Sequence, residues 1–202
     1  DGRSDMLHMP RVARYEYFTP VRNGDADATR PSQQGWQFAY VDVNLPRDVT
    51  DPRIDLGRDG THIRAFDVRT GDVTWIFHTI PGADEFGNDS WLNDSWRYTG
   101  NTGVWGQMTI DEDLGYVYLP VEMPTGDLYG GHRLGDNLFA DSVVAVEIAT
   151  GDRVWHYQTI HHDVWDFDLP SAPILVDITV DGRVIKAIAQ TSKQAFVYVL
   201  DR

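Results

Sequence analysis

Two nine-residue stretches, DVRTGDVTW at 67–75 and EIATGDRVW at 147–155, carry an acid, Thr-Gly-Asp and Trp at identical spacing. Each follows an apolar run, IRAF in the first case and VVAV in the second. The pattern reads as a hairpin: a strand enters a tight turn, Gly71 or Gly151 takes the positive φ that L-residues resist, and the chain returns through the tryptophan. A third copy starts in FVYVLDR, where Asp201 takes the place of Asp67 and Glu147, and the sequence stops at Arg202 before its Thr-Gly and Trp. A hairpin repeat of this kind needs neighbours to bury its faces. The chain is therefore expected to be a fragment that continues past Arg202 and, at its other end, upstream of Asp1.

Between the copies the sequence reads as short strands: WGQMTID, GYVYLPVE, SVVAVEI, RVWHYQTI, APILVDIT, VIKAIAQ and FVYVLDR. Several are apolar on both faces, as strands must be when their sheet lies between two others. No stretch of helical period and length competes with them. Four-stranded units with a Trp on the last strand predict an all-β protein of the β-propeller type. Residues 104–159 then form about one complete blade, the hairpin around Asp67 closes the blade before it, and residues 171–202 open the next. Residues 61–202 form this partial propeller. Residues 1–60, rich in Pro, Arg and Asp, read as an irregular or inserted N-terminal segment.

Composition narrows the function. Among 202 residues, 17 are basic and 31 acidic, a net charge of -14. Nucleic acid and anionic membrane surfaces demand basic clusters, so neither is expected as a partner. The absence of cysteine excludes disulfides, thiolate metal sites and cysteine nucleophiles. No apolar run approaches the roughly 18 residues of a membrane-spanning helix.

The polar segment HHDVWDFDLP at 161–170 breaks the repeat. On a strand, His161 and His162 would face opposite sides and could not chelate one ion together. Asp163, Asp166 and Asp168 read either as turn caps or as a catalytic carboxylate with its supports. Trp75 and Trp155 sit at repeat positions and read as core residues between blades. Trp105 has no counterpart in the next blade, where the chain reads SAPIL. Lys193, in SKQAF between two apolar strands, is either a solvated strand end or a charge turned towards the propeller's channel. The GGHRLGD loop at 130–136 carries Arg133 and reads as solvated.

IRAFDVRTGDVTWIFHTIP, NTGVWGQMTIDEDLGYVYLP, the GDLYGGHRLGDNLFADSVVAVEIATGDRVWHYQTIHHDVWDFDLP run and KQAFVYVLDR together resemble the quinoprotein dehydrogenases. The resemblance is to the membrane-associated glucose, quinate and polyol branch, and covers about two-thirds of the chain. It implies an eight-bladed propeller, of which this chain holds about a quarter. It further implies pyrroloquinoline quinone as cofactor and calcium as the divalent Lewis acid. The substrate would be an alcohol, polyol or sugar, and a quinone or cytochrome of the respiratory chain would accept the electrons. The setting would be the periplasm, with any membrane association carried by parts outside the chain. By the same resemblance Asp166 matches the catalytic base, Trp105 is the floor under the quinone, and Lys193 bonds the quinone oxygens; His162 reads either as structural or as lining the cofactor pocket. The cation ligands would fall in TDPRIDLGRDG, where Asp51 is followed by Pro52 instead of an amide, so no ligand is assigned. The rival reading is a non-catalytic propeller scaffold, which needs the repeat tryptophans and has no use for Trp105, Asp166 and Lys193 together.

Overall fold

The computed structural model describes the strand Gln37–Ala39 and residues 62–202. Among the described residues, ten strands form three antiparallel sheets. The first comprises β1 (Gln37–Ala39), β2 (His62–Phe66) and β3 (Val73–His78), in that order. The second is the four-stranded meander of β4 (Thr109–Asp111), β5 (Tyr116–Pro120), β6 (Ser142–Glu147) and β7 (Arg153–Gln158). The third is β8 (Ile174–Val180), β9 (Arg183–Thr191) and β10 (Val197–Asp201), with β9 in the middle. One complete blade thus lies between parts of two others, as the repeat implies. The strand β1 pairs with β2 from within the stretch expected to be irregular or inserted. The rest of residues 1–60, Asp51 included, lies outside the described residues.

The repeat is reproduced down to its hydrogen bonds. Gly71 and Gly151 both have φ of 77°. Gly71 N–H donates to Asp67 O and Gly151 N–H to Glu147 O, each at 2.8 Å. The register shifts at Ala65/Phe66 in one hairpin and at Ala145/Val146 in the other, each time beside the residue that pairs with the tryptophan. The local choice of an acid followed by Thr-Gly therefore sets a turn and a bulge together.

The double apolar faces of β5 and β6 are explained by what lies on each side. Val117, Leu119, Val144 and Val146 pack towards Ile63, Ala65, Trp75 and Phe77 of the first sheet. Their neighbours Tyr118, Val143 and Ala145 pack the other way, with Leu169 and Ile188 on the third-sheet side. Trp75 reaches forward into the middle blade: its Nε1–H donates to Ile148 O at 2.8 Å, and its ring covers Gly151. Trp155 lies against Tyr118 and joins the second core. Both repeat tryptophans are packing residues between blades.

Two short 3₁₀ segments, Asn88–Ser90 and Leu92–Arg97, connect the first sheet to the second. Between them Trp91 is buried, and its Nε1–H donates to Leu138 O. No helix among the described residues is long and apolar enough to cross a membrane.

Candidate functional site

The site forms where three connections meet: residues 101–108 ahead of β4, residues 159–173 between β7 and β8, and the β9–β10 turn. Each is held by backbone contacts. Thr102 N–H donates to Met123 O at 3.3 Å, and Gly103 and Glu122 exchange backbone and side-chain hydrogen bonds. Gly106 lies so close to Pro170 that a Cβ would stand 3.1 Å from its carbonyl oxygen. The two connections are thereby fixed to one another.

Asp168 is the hub. It is buried, and its Oδ1 accepts from Met123 N–H at 2.9 Å. Its Oδ2 accepts from Lys193 Nζ at 2.8 Å and from Trp105 Nε1 at 3.2 Å. Its carbonyl oxygen takes the Lys193 N–H at 3.0 Å. Lys193 Nζ also donates to both carboxylate oxygens of Asp166, at 2.9 Å each. An ammonium has three protons, and all three point at carboxylate oxygens here. Nζ stands 5.6 Å from the centroid of the Trp105 indole, within reach of a cation–π attraction. Burial alone would push the Lys193 pKa down, but the hydrogen bonds to Asp168 and Asp166 outweigh it and push it up to about 12. The ammonium is therefore charged throughout the physiological range.

Three of the four residues singled out in the sequence, Trp105, Asp166 and Lys193, thus meet in one cluster. The Asp166 side chain is 43% exposed. The Trp105 indole is 44% exposed, so one aromatic surface is left open beside an ammonium and a carboxylate. That combination can hold a flat, polar molecule by stacking beside the Lys193 ion pairs, and offers Asp166 as a proton acceptor.

His162 lies outside the cluster's hydrogen bonds. Its Nδ1 pairs with Gly135 O at 2.8 Å, and its backbone, at φ 53°, has left the strand. His161 turns to Asp136 instead, at 3.4 Å. The two histidines do not converge, although the reason is a loop and not the strand alternation expected. Among the described residues no group of three or more His, Cys, Asp or Glu side chains is arranged to hold a metal ion.

The GGHRLGD loop is the clear correction. Arg133 is fully buried rather than solvated. It donates to Asn137 Oδ1 at 2.9 Å and to the carbonyl oxygen of Asp163. Burial draws its pKa down, against the opposing charges of Asp141 and Asp163. Asp141, which sequence reasoning also passed over, is buried beneath the same loop. The one signal for it was a charge opening the otherwise apolar run SVVAV. Asp168 was foreseen only as a support for its loop.

Comparison with known proteins gives this geometry a context. Residues 47–202 match the family model described as PQQ, glucose/ethanol/alcohol dehydrogenase, beta-propeller domain. The chain is 40% identical over 142 residues to a quinoprotein glucose dehydrogenase of Escherichia coli, covering 69% of this chain and 17% of that protein. It is 36% identical over 146 residues to a quinate/shikimate dehydrogenase (quinone) of Acinetobacter baylyi, covering 71% and 18%. The solved structure of a quinohemoprotein alcohol dehydrogenase from Pseudomonas putida superposes with a TM-score of 0.64 at 32% identity, over 70% of this chain and 22% of that one. The chain thus spans under a third of these relatives' length. With a propeller sheet repeat, an open indole and a carboxylate–ammonium cluster on the matched residues, this chain belongs to the PQQ-type glucose/ethanol/alcohol dehydrogenase β-propeller family.

Proposed function

We propose that the protein containing this chain oxidises a sugar, polyol or other alcohol with pyrroloquinoline quinone, and that Asp166 is the base. The observation that carries this is the hydrogen-bonded set Trp105, Asp168, Lys193 and Asp166 around one open aromatic face. A scaffold would need the repeat tryptophans but not this set.

The residues fit such a cofactor. Trp105 would hold a planar ring system by stacking, and its tilt is fixed by the Nε1–H bond to Asp168. Lys193 would place a fixed positive charge at the edge of that plane. When bound, the quinone supplies a two-electron acceptor for the hydride of an alcohol C–H. The hydroxyl proton then passes to a carboxylate oxygen of Asp166. Asp168 keeps the ammonium in place through its Oδ2, while its Oδ1 is anchored by the Met123 amide. For the cation, calcium remains the family's expectation, and its ligands are sought outside the described residues. Electron transfer to a respiratory quinone or cytochrome, in the periplasm, completes the proposed reaction.

The test is reconstitution of the full-length protein with pyrroloquinoline quinone and calcium, followed by dye-coupled oxidation of a panel of sugars and alcohols. Asp166→Asn is expected to lower kcat by about 10²- to 10⁴-fold while the quinone still binds. Trp105→Ala is expected to weaken quinone binding itself. Undiminished turnover in Asp166→Asn would remove that residue from the base role, and absence of quinone binding would favour the scaffold.

A further inference from the structure

Asp166 has φ of 59°, the left-handed region that few non-glycine residues occupy. Something must hold it there. The amides on either side of it, those of Trp165 and Phe167, both donate to the same side chain. Trp165 N–H reaches Asp163 Oδ1 at 2.8 Å, and Phe167 N–H reaches Asp163 Oδ2 at 2.7 Å. Asp163 is buried, so these bonds are shielded from competing water.

The clamp is itself braced from behind. Arg133, fully buried, donates to the carbonyl oxygen of Asp163 and is fixed by Asn137 Oδ1. Gly130 packs so tightly that a Cβ there would stand 2.4 Å from His162 Nε2 and 3.0 Å from Val164 Cγ1. The loop at 130–137 is thus a rigid back plate for residues 162–168. Its consequence is seen at the Asp166 carboxylate, which meets Lys193 through both oxygens.

We propose that Asp163 is a positioning residue: its carboxylate grips the two amides that flank Asp166, fixes the left-handed turn between them, and so aims the Asp166 carboxylate at Lys193 and the open face of Trp105. Arg133 holds the clamp in register. The inference rests on the reading of Asp166 as the base.

The experiment uses the full-length protein and the variants Asp163→Asn, Gly130→Ala and, as a reference, Asp166→Asn. In Asp163→Asn the side-chain amide still accepts from one backbone N–H but presents its own N–H groups to the other, so half the clamp is lost. Pyrroloquinoline quinone binding is titrated by tryptophan fluorescence, and turnover is expressed per bound quinone. Asp163→Asn is expected to lower turnover per bound quinone by about 100-fold, the scale of a misplacement near 1 Å. The dissociation constant of the quinone and the KM of the alcohol should stay within about threefold. Independently of activity, amide exchange in the peptide over residues 164–168 should quicken by about tenfold or more.

A merely structural Asp163 would reduce the amount of folded, quinone-binding protein and leave turnover per bound quinone unchanged. That result, or unchanged exchange at 164–168, overturns the proposal. So does a loss of quinone affinity as large as the loss of turnover, which would place Asp163 in the cofactor pocket. Should Asp163→Asn not fold, Gly130→Ala displaces the same loop from behind and is judged by the same readings. If Asp166→Asn itself retains turnover, it is the base assignment that fails; the exchange measurement still decides whether Asp163 holds the turn.

Discussion

Asp141 lies at the start of β6, fully buried, and neither of its carboxyl oxygens has a hydrogen-bond partner among the described residues. Burial, and then the charges of Asp163 and Asp168, push its pKa up to about 9, with Arg133 pulling the other way. The carboxyl is therefore neutral at pH 7. In the unfolded chain it would ionise near pH 4, so between about pH 4 and 9 the folded state holds a proton that the unfolded state releases. The group's contribution to stability is fully present below pH 4, shrinks by up to about 1.4 kcal/mol per pH unit above it, and is lost by about pH 9. Asp141→Asn removes this titration without changing shape. Thermal melts from pH 5 to 10 should show the variant gaining on the parent up to pH 9 and then running parallel. A pH-independent difference would mean that the carboxyl is ionised in the fold. Residues of this kind were the hardest to find in the sequence. Trp105 stood out because it broke a repeat, and Asp166 and Lys193 because they stood in repeat-breaking or apolar surroundings. Asp141 offered only its charge at the edge of an apolar run, and Arg133 gave no signal, because a charged residue in a polar loop reads as solvated until its partner is known. Arg133's partner is a carbonyl 30 residues further on.

The hairpin turns offer a comparison that the molecule sets up itself. Gly71 and Gly151 share φ of 77°, but a Cβ on Gly71 would meet nothing within 4 Å, whereas on Gly151 it would stand 2.6 Å from the Trp75 ring. Gly71→Ala should therefore cost only the left-handed strain, about 1–2 kcal/mol. Gly151→Ala should cost about 1–3 kcal/mol more, because the indole must move out of a packed core. Urea unfolding of both variants measures the difference, and equal losses would show that Trp75 does not rest on the turn. At this scale the sequence was most readable. All seven strands expected between residues 104 and 202 are present, because Thr-Gly turns and short apolar runs are local signals. The 3₁₀ segments around Trp91 were not foreseen; their fold depends on loop partners such as Leu134 and Leu138.

Across the whole molecule the blades are joined by apolar faces and by a few ion pairs of unequal standing. Asp111 ends β4, is buried, and pairs with Arg202 Nη1 at 3.0 Å, while its Oδ1 caps the turn at Asp113 and Leu114. Lys186 pairs with Asp113 at 2.7 Å between the same two sheets, but both side chains are largely exposed. Removing Asp111 leaves the buried Arg202 with only the exposed Asp177, at 3.4 Å, so Asp111→Ala should cost up to about 3–5 kcal/mol. Lys186→Ala should cost less than about 1 kcal/mol. Comparable losses in chemical denaturation would refute the distinction. The forward reach of Trp75 has a consequence in time. Its acceptor, Ile148 O, lies 73 residues later in the chain. At a synthesis rate of about 5–20 residues per second, the indole emerges roughly 4 to 15 s before the carbonyl it docks on. The hairpin that carries Trp75 waits for the next blade, and for that interval its indole is a sticky surface that a chaperone has reason to cover.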